Sequence, residues 1–366
     1  MQKERKNRSL PIKILKGMGI TLLVVVLLLC VFIGFLSVTE YKPSGTETLN
    51  VEAAADGTLK QGDTIKIFSW NIGYGALGDN ADFFMDGGTM VKSADEKRLN
   101  ENLEAIENTL NEHKPDIVFL QETDRNSQRS SHVDEFNRIK TSLNGLGSYD
   151  AVFANNFKAA FVPYPVPPIG KVDSGIASYS RFPISSAERV QLPVPFSWPM
   201  SMANLKRCLL VSRVKLQGSE KELVLVNLHL EAYDDGEGKL AQTNQLSELL
   251  SAEAAKGNYV IAGGDFNQIF SCADGSAFPL YNGNWEAPEI DVSMFGGGWQ
   301  FLMDEDTPSC RLLNKPYYDA DKDDFQYYII DGFIVSDNIQ VNGFEALDLG
   351  FTASDHNPLE LNVTLK

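Results

Sequence analysis

Residues 259–267 read YVIAGGDFN, an apolar run followed by two glycines, an aspartate and an asparagine. The run contains β-branched residues and is too short for a stable helix, so it predicts a buried strand that opens into a turn. Asp265 and Asn267 follow the end of that strand. An Asx-turn is the structural explanation for this pair, and a position beside a cleft is the functional one.

Polar residues that are poor strand formers recur at the ends of other apolar runs. One such run, 64–70, alternates in hydrophobicity with period two and leads into Asn71. The remaining cases are Glu122 in VFLQET, His229 in VNLHL, Asp331 in YYIIDGFIV, and Asp355 with His356 in SDHNPLEL. Because strand ends on one edge of a sheet converge, we expect these side chains to share one cleft.

Strands outnumber helices in the pattern. Apolar residues at helical spacing predict amphipathic helices over about 94–113 and 239–256. Further strands are predicted at 116–120, 175–180, 207–215, 223–230 and 359–365. This arrangement predicts an α/β fold with a mixed, two-sheet core and helices outside. The long stretches 155–172 and 272–326 look irregular and are candidate walls or lids of a substrate site.

The N-terminal region predicts a membrane anchor. Residues 18–38 are uncharged, and at about 1.5 Å per residue they can cross a hydrocarbon core of about 30 Å. Basic residues predominate in 1–17, which predicts a single-pass protein of the cell membrane with a cytoplasmic N-terminus and an extracytoplasmic domain. A cleaved signal peptide is the alternative, but no small-residue cleavage site follows closely. Residues 39–62 predict an extended linker to a catalytic domain at 63–366.

The composition restricts the class of protein. The 366 residues are 43% hydrophobic, which argues against disorder, and the net charge is −17. So acidic a chain shows no basic surface of the kind that grips duplex DNA. The four cysteines show no CxxC spacing, so a zinc site is not expected. Cys30 lies in the apolar N-terminal run; the other three are expected as buried free thiols, with one disulfide as the alternative.

The recurring polar residues include the groups that hydrolysis of a phosphate ester requires. The oxygens of Glu122, Asp355 and Asn71 suit a hard divalent cation such as Mg²⁺. A histidine held by a carboxylate, His356 with Asp331, can act as general base or acid near neutral pH.

Three further residues complete this hypothesis. Asp265 can orient or deprotonate the attacking water, and Asn267 and His229 can donate hydrogen bonds to the developing oxyanion. Each residue alone also has a structural explanation, such as a solvated strand end, a buried histidine or a turn before proline. Their joint occurrence in one order favours the chemical interpretation.

Six motifs occur in an order that resembles the endonuclease/exonuclease/phosphatase superfamily, especially its deoxyribonuclease I-like and neutral sphingomyelinase-like members: SWNIGYG, IVFLQETD, VNLHL, GGDFN, YYIIDGFIVS and SDHNPL. The resemblance spans about 64–366. It implies a four-layer α/β sandwich with two mixed β-sheets flanked by helices. It also implies phosphoester hydrolysis by direct attack of water, dependent on Mg²⁺, with Mn²⁺ or Ca²⁺ as alternatives. It assigns metal binding to Asn71, Glu122 and Asp355, and catalysis to His229, Asp265, Asn267, Asp331 and His356.

The substrate stays open at this stage, because loops rather than the catalytic set select it. Candidate phosphate contacts are Lys171, Arg181, Lys206 and Arg207, and a solvated surface position is the alternative for each. One hypothesis is a phosphodiesterase that acts on a phospholipid headgroup or another small phosphate ester. A second is a surface nuclease, with DNA or RNA as a substrate only, and a third is a non-catalytic binding module on the same fold. The acidic charge and the anchor favour the first.

Overall fold

The computed structural model describes residues 9–234, 236–281, 283–318 and 320–366. The first eight residues of the predicted cytoplasmic segment, 1–17, lie outside the described residues. The α-helices in the described part are α1 (Ser9–Thr39), α2 (Glu96–His113), α3 (Glu135–Leu143) and α4 (Glu237–Ala255). Short 3₁₀ helices lie at Gly73–Gly75, Phe84–Asp86, Met200–Ala203, Gly275–Ala277, Val292–Phe295 and Lys322–Asp324.

Most strands belong to two large sheets. Those in the first half of the chain are β1 (Thr46–Thr48), β2 (Thr64–Asn71), β3 (Ile117–Asp124), β4 (Asp150–Val162), β5 (Gly170–Ser180), β6 (Ile184–Gln191), β7 (Cys208–Lys215), β8 (Glu222–His229) and β9 (Tyr259–Asp265). Those that follow are β10 (Ile269–Phe270), β11 (Glu289–Ile290), β12 (Trp299–Leu302), β13 (Cys310–Arg311), β14 (Tyr327–Tyr328), β15 (Asp331–Ser336), β16 (Ile339–Ala346) and β17 (Leu359–Leu365).

Both large sheets are mixed. One has the strand order β16-β17-β2-β3-β5-β4, and only β2 and β3 run parallel in it. The other has the order β1-β6-β7-β8-β9-β15-β12, and its parallel pair is β8 and β9. In each sheet the parallel pair brings two strand ends to the same edge, which is the arrangement that collects the polar residues.

Apolar side chains define four layers. The two sheets face each other across a core that includes Ile67, Phe119, Leu210 and Leu225. Helices α2 and α3 cover the outer face of the six-stranded sheet, and α4 covers the outer face of the seven-stranded sheet. The predicted fold class, two mixed sheets flanked by helices, is confirmed.

The prediction of an irregular stretch at 155–172 is wrong for most of its length. Strand β4 extends to Val162 and β5 begins at Gly170, so the stretch is largely a β-hairpin. All four of its prolines lie between positions 163 and 168, at the tip, where no ladder hydrogen bond needs their missing N–H group. The tip therefore projects as a loop from two regular strands.

The predicted extended linker at 39–62 is instead part of the domain. Strand β1 pairs with β6 and adds an edge to the seven-stranded sheet. The backbone N–H groups of Ala54 and Ala55 both donate to the Asp150 carboxylate at 2.7 Å. Leu59 is buried in the core between the sheets. Residues 40–62 therefore pack on the domain instead of extending away from it.

Helix α1 is the apolar segment predicted as an anchor. In the described part of the chain it is the helix with the length and composition to cross a membrane, over Ile12–Thr39. Almost all of its side chains from Ile12 to Val31 are exposed, as expected for a surface that lipid covers. A signal sequence near the N-terminus has the same composition, so this helix fits either a membrane anchor or a signal sequence.

Candidate active site

The polar strand ends converge at one edge of the two sheets. In the six-stranded sheet, Asn71 at the end of β2 lies opposite Gln121 of β3, so Glu122 is in the next position along. In the seven-stranded sheet, Asp265 at the end of β9 lies opposite both His229 and Asp331. Hydrogen bonds and close approaches then join these groups across the two sheets.

His356 and Asp331 form a buried pair. The Nδ1 atom of His356 lies 2.8 Å from the Asp331 carboxylate, which orients the ring and leaves Nε2 directed toward the other acidic groups. The His356 backbone is held as well, because its carbonyl accepts a hydrogen bond from the Trp70 indole and its N–H donates to the Ser354 hydroxyl. The ring is therefore fixed on several sides.

Asp265 is the centre of the cluster. Its Oδ2 atom accepts a hydrogen bond from the Asn71 amide at 3.0 Å and lies 3.3 Å from His229 Nε2. The same oxygen is 3.8 Å from His356 Nε2. Its Oδ1 atom accepts from the backbone N–H of Asn267 at 2.8 Å, which is an Asx-turn. The Asp265 carboxylate therefore forms an Asx-turn and also lies within the polar cluster, so the structural and the functional explanation of this residue both apply.

Glu122 occupies an irregularity in β3. The pairing of β3 with β5 shifts register between Leu120 and Thr123, and Glu122 adopts a left-handed backbone conformation with φ of 51°. Such a conformation is unfavourable for glutamate and is typical of bulges that redirect a side chain. Here the side chain is half-buried, in the electrostatic field of Arg129, Asp355 and His356.

Asp355 approaches the loop that follows β2. A side chain at Gly73 would come within 3.0 Å of Asp355 Oδ1 and 2.8 Å of the Leu77 Cβ atom, and Gly73 also has a positive φ of 51°. Only glycine satisfies both conditions. The Asp355 Oδ2 atom lies 4.0 Å from His356 Nε2, so Asp355 and Asp265 flank the same ring nitrogen.

Burial and charge shift the acid–base groups in different directions. Burial and the charge of Asp331 raise the pKa of Asp265 to about 7. Burial alone would lower the pKa of His356, but the charge of Asp331 and the hydrogen bond between them raise that pKa well above its usual value. Burial and the nearby Arg207 hold the pKa of His229 well below its usual value, so His229 is neutral at pH 7.

The chemistry of this cluster fits a hard divalent cation. Burial raises the pKa values of Glu122 and Asp355 despite neighbouring cationic groups, and the charge of Asp355 adds to the shift at Glu122. Buried carboxylates that repel one another are stabilised by a bound cation. Two sets of three side chains could each hold a metal ion: Asp265, Asp331 and His356 form one set, and Cys310, Asp355 and His356 form the other. Within each set, the possible ligand atoms all lie within 4.8 Å of one another. The donor set is predominantly carboxylate oxygen, which suits Mg²⁺ or Mn²⁺.

Arg181 does not lie at this edge. It follows Ser180, which is opposite Ile117 at the first residue of β3, and its guanidinium lies 3.3 Å from Asp116. Glu122 is near the other end of the same strand. The position of Arg181 contradicts its prediction as a phosphate contact, because strand β3 separates it from the cluster.

The other three predicted phosphate contacts differ in whether their charged groups are already paired within the protein. Arg207 lies behind His229: its Nη1 donates to the His229 carbonyl and its Nε lies 3.3 Å from Glu231. Lys206 is buried and paired with Glu40, so its charge is already neutralised. Lys171 lies near the start of β5, where its carbonyl accepts a hydrogen bond from the Gln128 N–H in the loop after β3.

Three residues of this region had no signal in the sequence. Arg129 is bidentate to Asp124, and its guanidinium lies 3.6 Å above the Tyr74 ring. Asp86 lies in the loop above the cluster, where burial and the charge of Asp355 raise its pKa to about 7. The Tyr233 hydroxyl approaches Asp86 at 3.5 Å. Arg129 and Tyr233 are in loops and Asp86 ends a 3₁₀ helix of three residues, and periodicity describes neither kind of segment.

Solved structures share this fold. An endonuclease/exonuclease/phosphatase from Beutenbergia cavernae DSM 12333 aligns with a TM-score of 0.54 and 18% identity, covering 82% of this chain and 72% of that one. A family protein from Bacteroides thetaiotaomicron aligns with a TM-score of 0.52 and 16% identity, covering 84% and 99%. The human Nocturnin catalytic domain aligns with a TM-score of 0.51 and 17% identity, covering 87% and 97%.

No curated protein matches the sequence. The sequence model of the Endonuclease/Exonuclease/phosphatase family, however, matches residues 68–356, which include every residue of the cluster. With the shared fold, this match confirms the resemblance drawn from the six motifs. The chain therefore belongs to the endonuclease/exonuclease/phosphatase family, whose members are metal-dependent hydrolases of phosphoric esters.

Proposed function

We propose that this enzyme is a membrane-anchored, extracytoplasmic, Mg²⁺-dependent phosphodiesterase. It hydrolyses a phospholipid headgroup or another small phosphate ester by direct attack of water. The observation that carries the proposal is the position of one carboxylate oxygen, Asp265 Oδ2, within 4 Å of Asn71, His229 and His356. A water molecule bound there can be oriented and deprotonated in one place.

Asp265 is the proposed proton acceptor. Its raised pKa of about 7 makes the carboxylate a stronger base than an exposed aspartate, and the ionised form is still well populated at neutral pH. The hydrogen bonds from Asn71 and from the Asn267 N–H fix both carboxylate oxygens. The remaining lone pairs are then directed at the position where the water attacks phosphorus.

His356 is the proposed cationic partner. Because Asp331 raises its pKa, the ring carries a proton at neutral pH, and Nε2 can donate that proton to a phosphoryl oxygen or to the leaving oxygen. Neutral His229 can donate a hydrogen bond from Nε2 to a second oxygen. The Asn267 side chain donates to the Leu230 carbonyl, so it also keeps the loop after β9 in place.

Glu122, Asp355 and Asn71 are the proposed ligands of Mg²⁺. The cation, when bound, neutralises charge on the phosphoryl oxygens as the transition state forms. In this proposal, the left-handed backbone of Glu122 serves to direct its carboxylate toward Asp355. Asn71 contributes its amide oxygen, which is already oriented by the Gly73 N–H at 3.1 Å.

The net charge and the anchor support a small or membrane-borne substrate over nucleic acid. The chain carries −17 overall, and the candidate cations of the site region are largely paired with carboxylates. A polyanion would be repelled at long range. A phosphate ester presented at the membrane needs only local contacts within the cleft.

A substrate panel tests the proposal. The full chain in phosphatidylcholine nanodiscs with Mg²⁺ is offered bis-p-nitrophenyl phosphate, sphingomyelin, phosphatidylinositol, plasmid DNA and RNA. We expect hydrolysis of the chromogenic diester and of a lipid, and a loss of at least about 100-fold in His356→Ala. His132→Ala changes an exposed histidine whose ring hydrogen-bonds to Asn126 and is given no role in catalysis, so it is the matched control and should retain full activity. Cleavage of nucleic acid alone would replace the proposal with the nuclease function.

A further inference from the structure

Two loops expose large apolar side chains. The tip between β4 and β5 carries Tyr164 and Val166, which are 67% and 94% exposed. The loop between β6 and β7 carries Trp198 and Met200, which are 64% and 65% exposed. Isolated exposed apolar residues are common, but neighbouring groups of them usually mark a contact surface.

Both loops leave the sheets at the edge that carries the candidate active site. The start of β5 lies beyond the Glu122 end of β3, since Ser174 pairs with Asp124. The loop before β7 ends next to the pairing of Leu209 with Leu228, one residue from His229. The Lys206 N–H donates to the Asn156 carbonyl at 2.6 Å, which joins the two loop bases.

The tip of the first loop also reaches the loop above the cluster. The Tyr164 ring makes an edge-to-face contact with Phe84, with 5.7 Å between the centroids. Phe84 begins the 3₁₀ helix that ends at Asp86, and Asp86 lies in the field of Asp355 and Glu122. The exposed tip and the entrance to the site are therefore parts of one surface.

Helix α1 packs on the same two loops. Phe32 contacts Phe161, at the base of the first tip, with 6.2 Å between ring centroids. The Ser37 hydroxyl donates to the Met202 sulfur at 3.0 Å, two residues after Met200, and Leu36 is buried. The uncharged residues 18–38 of this helix are about 32 Å long, close to the thickness of about 30 Å of a hydrocarbon core. The residues that contact the domain, Phe32 to Ser37, therefore lie in the last turns of the membrane-crossing run, next to the bilayer surface.

We propose that Tyr164, Val166, Trp198 and Met200 form a docking rim that inserts into the surface of the bilayer holding α1. This inference rests on the membrane anchoring of the proposed function. The rim is continuous with the end of the helix, and Trp and Tyr side chains are favoured at the membrane interface. The acidic net charge gives no attraction to anionic lipid, so the contact is apolar. The cleft then opens toward the bilayer, and its substrate is a phosphate ester carried at the membrane surface.

Fluorescence quenching tests the contact without any turnover. The full chain is placed in nanodiscs of phosphatidylcholine with brominated acyl chains, which quench tryptophan on contact, and in unbrominated nanodiscs. We expect bromine-dependent quenching in the wild type, and loss of most of it in Trp198→Phe. Of the other three tryptophans, Trp70 is buried in the domain core, and Trp285 and Trp299 are half-buried against other apolar clusters of the domain. Equal quenching in the two proteins would overturn the docking rim. A catalytically silent wild type would refute the proposed function but leave this readout intact.

A matched pair of substrates tests the consequence for activity. A p-nitrophenyl phosphodiester with a long alkyl chain in the nanodisc is compared with its short-chain soluble analogue. We expect the double variant Val166→Asp, Met200→Asp to hydrolyse the long-chain ester at least tenfold more slowly than the wild type. Its rate on the soluble ester should stay within twofold of the wild-type rate. Gln217→Asp adds a charge at an exposed position on the opposite edge and should change neither. An equal loss on both esters, or on neither, would contradict the docking rim.

Discussion

Asp265 and His356 have pKa values that move in the direction their proposed roles require. Burial and Asp331 raise the pKa of Asp265 to about 7, so its basic form predominates only above that pH. Asp331 also raises the pKa of His356, so its acidic form persists well above its usual range. Activity should therefore rise as Asp265 ionises and fall where His356 loses its proton, giving a bell-shaped profile.

Asp331→Asn should move both limbs of this profile to lower pH. Without the negative charge, the pKa of Asp265 falls, because repulsion no longer opposes its ionisation, and the pKa of His356 falls as well. We expect kcat at neutral pH to drop about 10- to 100-fold. The measurement is kcat for a soluble chromogenic diester over a range of pH. An unchanged profile would remove Asp331 from its assigned role.

Glu122→Gln should lower the affinity of the enzyme for Mg²⁺ more than it lowers the maximal rate of hydrolysis. The amide keeps one oxygen donor but removes the charge that attracts a divalent cation. We expect the Mg²⁺ concentration for half-maximal activity to rise at least about tenfold. The measurement is a Mg²⁺ titration of the hydrolysis rate. Glu112→Gln, an exposed glutamate of α2, is the control and should titrate like the wild type.

The sequence predicted the residues of the cluster better than their supporting contacts. Polar residues at strand ends were visible because they interrupt apolar runs, as Glu122 interrupts VFLQET. Arg129 gave no such signal, since it lies in a loop and reaches Asp124 and Tyr74 only in the folded chain. Arg181 was wrongly included because the sequence does not say which edge of a sheet a loop residue occupies.

Helix α4 is held to its sheet by a charged contact at its C-terminal end. Arg213 of β7 donates two hydrogen bonds to Glu253, at 3.0 and 2.7 Å. The Arg213 contact, with support from Lys256 and Asn258, lowers the pKa of Glu253 to about 2. A carboxyl with a depressed folded-state pKa stabilises the fold above its unfolded value and loses that effect as pH falls.

Glu253→Gln should therefore destabilise the protein in a pH-dependent way. We expect a loss of about 1 kcal/mol at neutral pH, where the pair is fully charged. The difference from the wild type should shrink as pH falls from about 4.5 toward 2, because the wild-type carboxyl becomes protonated. Urea unfolding at neutral pH and near pH 3 measures this. A difference that grows at low pH would contradict the assignment.

Long periodic elements were predictable and short or interrupted ones were not. Helix α2 and strand β2 lie almost where their apolar spacing predicts. Strand β4 was missed because prolines at the hairpin tip concealed a regular strand before them. Helix α3, with only nine residues, offers too few turns for a clear periodic signal.

At the scale of the whole molecule, residues 40–62 join helix α1 to the domain as a structural part of it. Glu40 pairs with the buried Lys206, β1 extends a sheet, and Leu59 fills the core. The composition of the segment resembles that of a flexible linker, which is why the sequence predicted one. Its order comes from contacts with residues more than 90 positions away, such as Asp150.

Truncation should distinguish an integrated segment from a tether. A chain that begins at Glu40 should retain the stability of the domain, whereas a chain that begins at Gly62 should lose at least about 3 kcal/mol. Burial of a leucine side chain alone contributes about 1.5 to 3 kcal/mol, and the edge strand and the contacts to Asp150 are lost as well. Urea unfolding of the two proteins is the measurement. Equal stabilities would restore the linker interpretation.

The central claim is that Asn71 of β2, Glu122 of β3 and Asp355 before β17 hold one divalent cation beside His356, next to the acid–base groups of the seven-stranded sheet. Anomalous diffraction from crystals of residues 40–366 grown with Mn²⁺ tests it most directly, because the peak locates the metal without reference to activity. We predict a peak bound by Glu122, Asp355 and Asn71, and its loss in Glu122→Gln. A peak elsewhere in the protein, or none in a protein whose hydrolysis requires Mn²⁺, would contradict the proposed site.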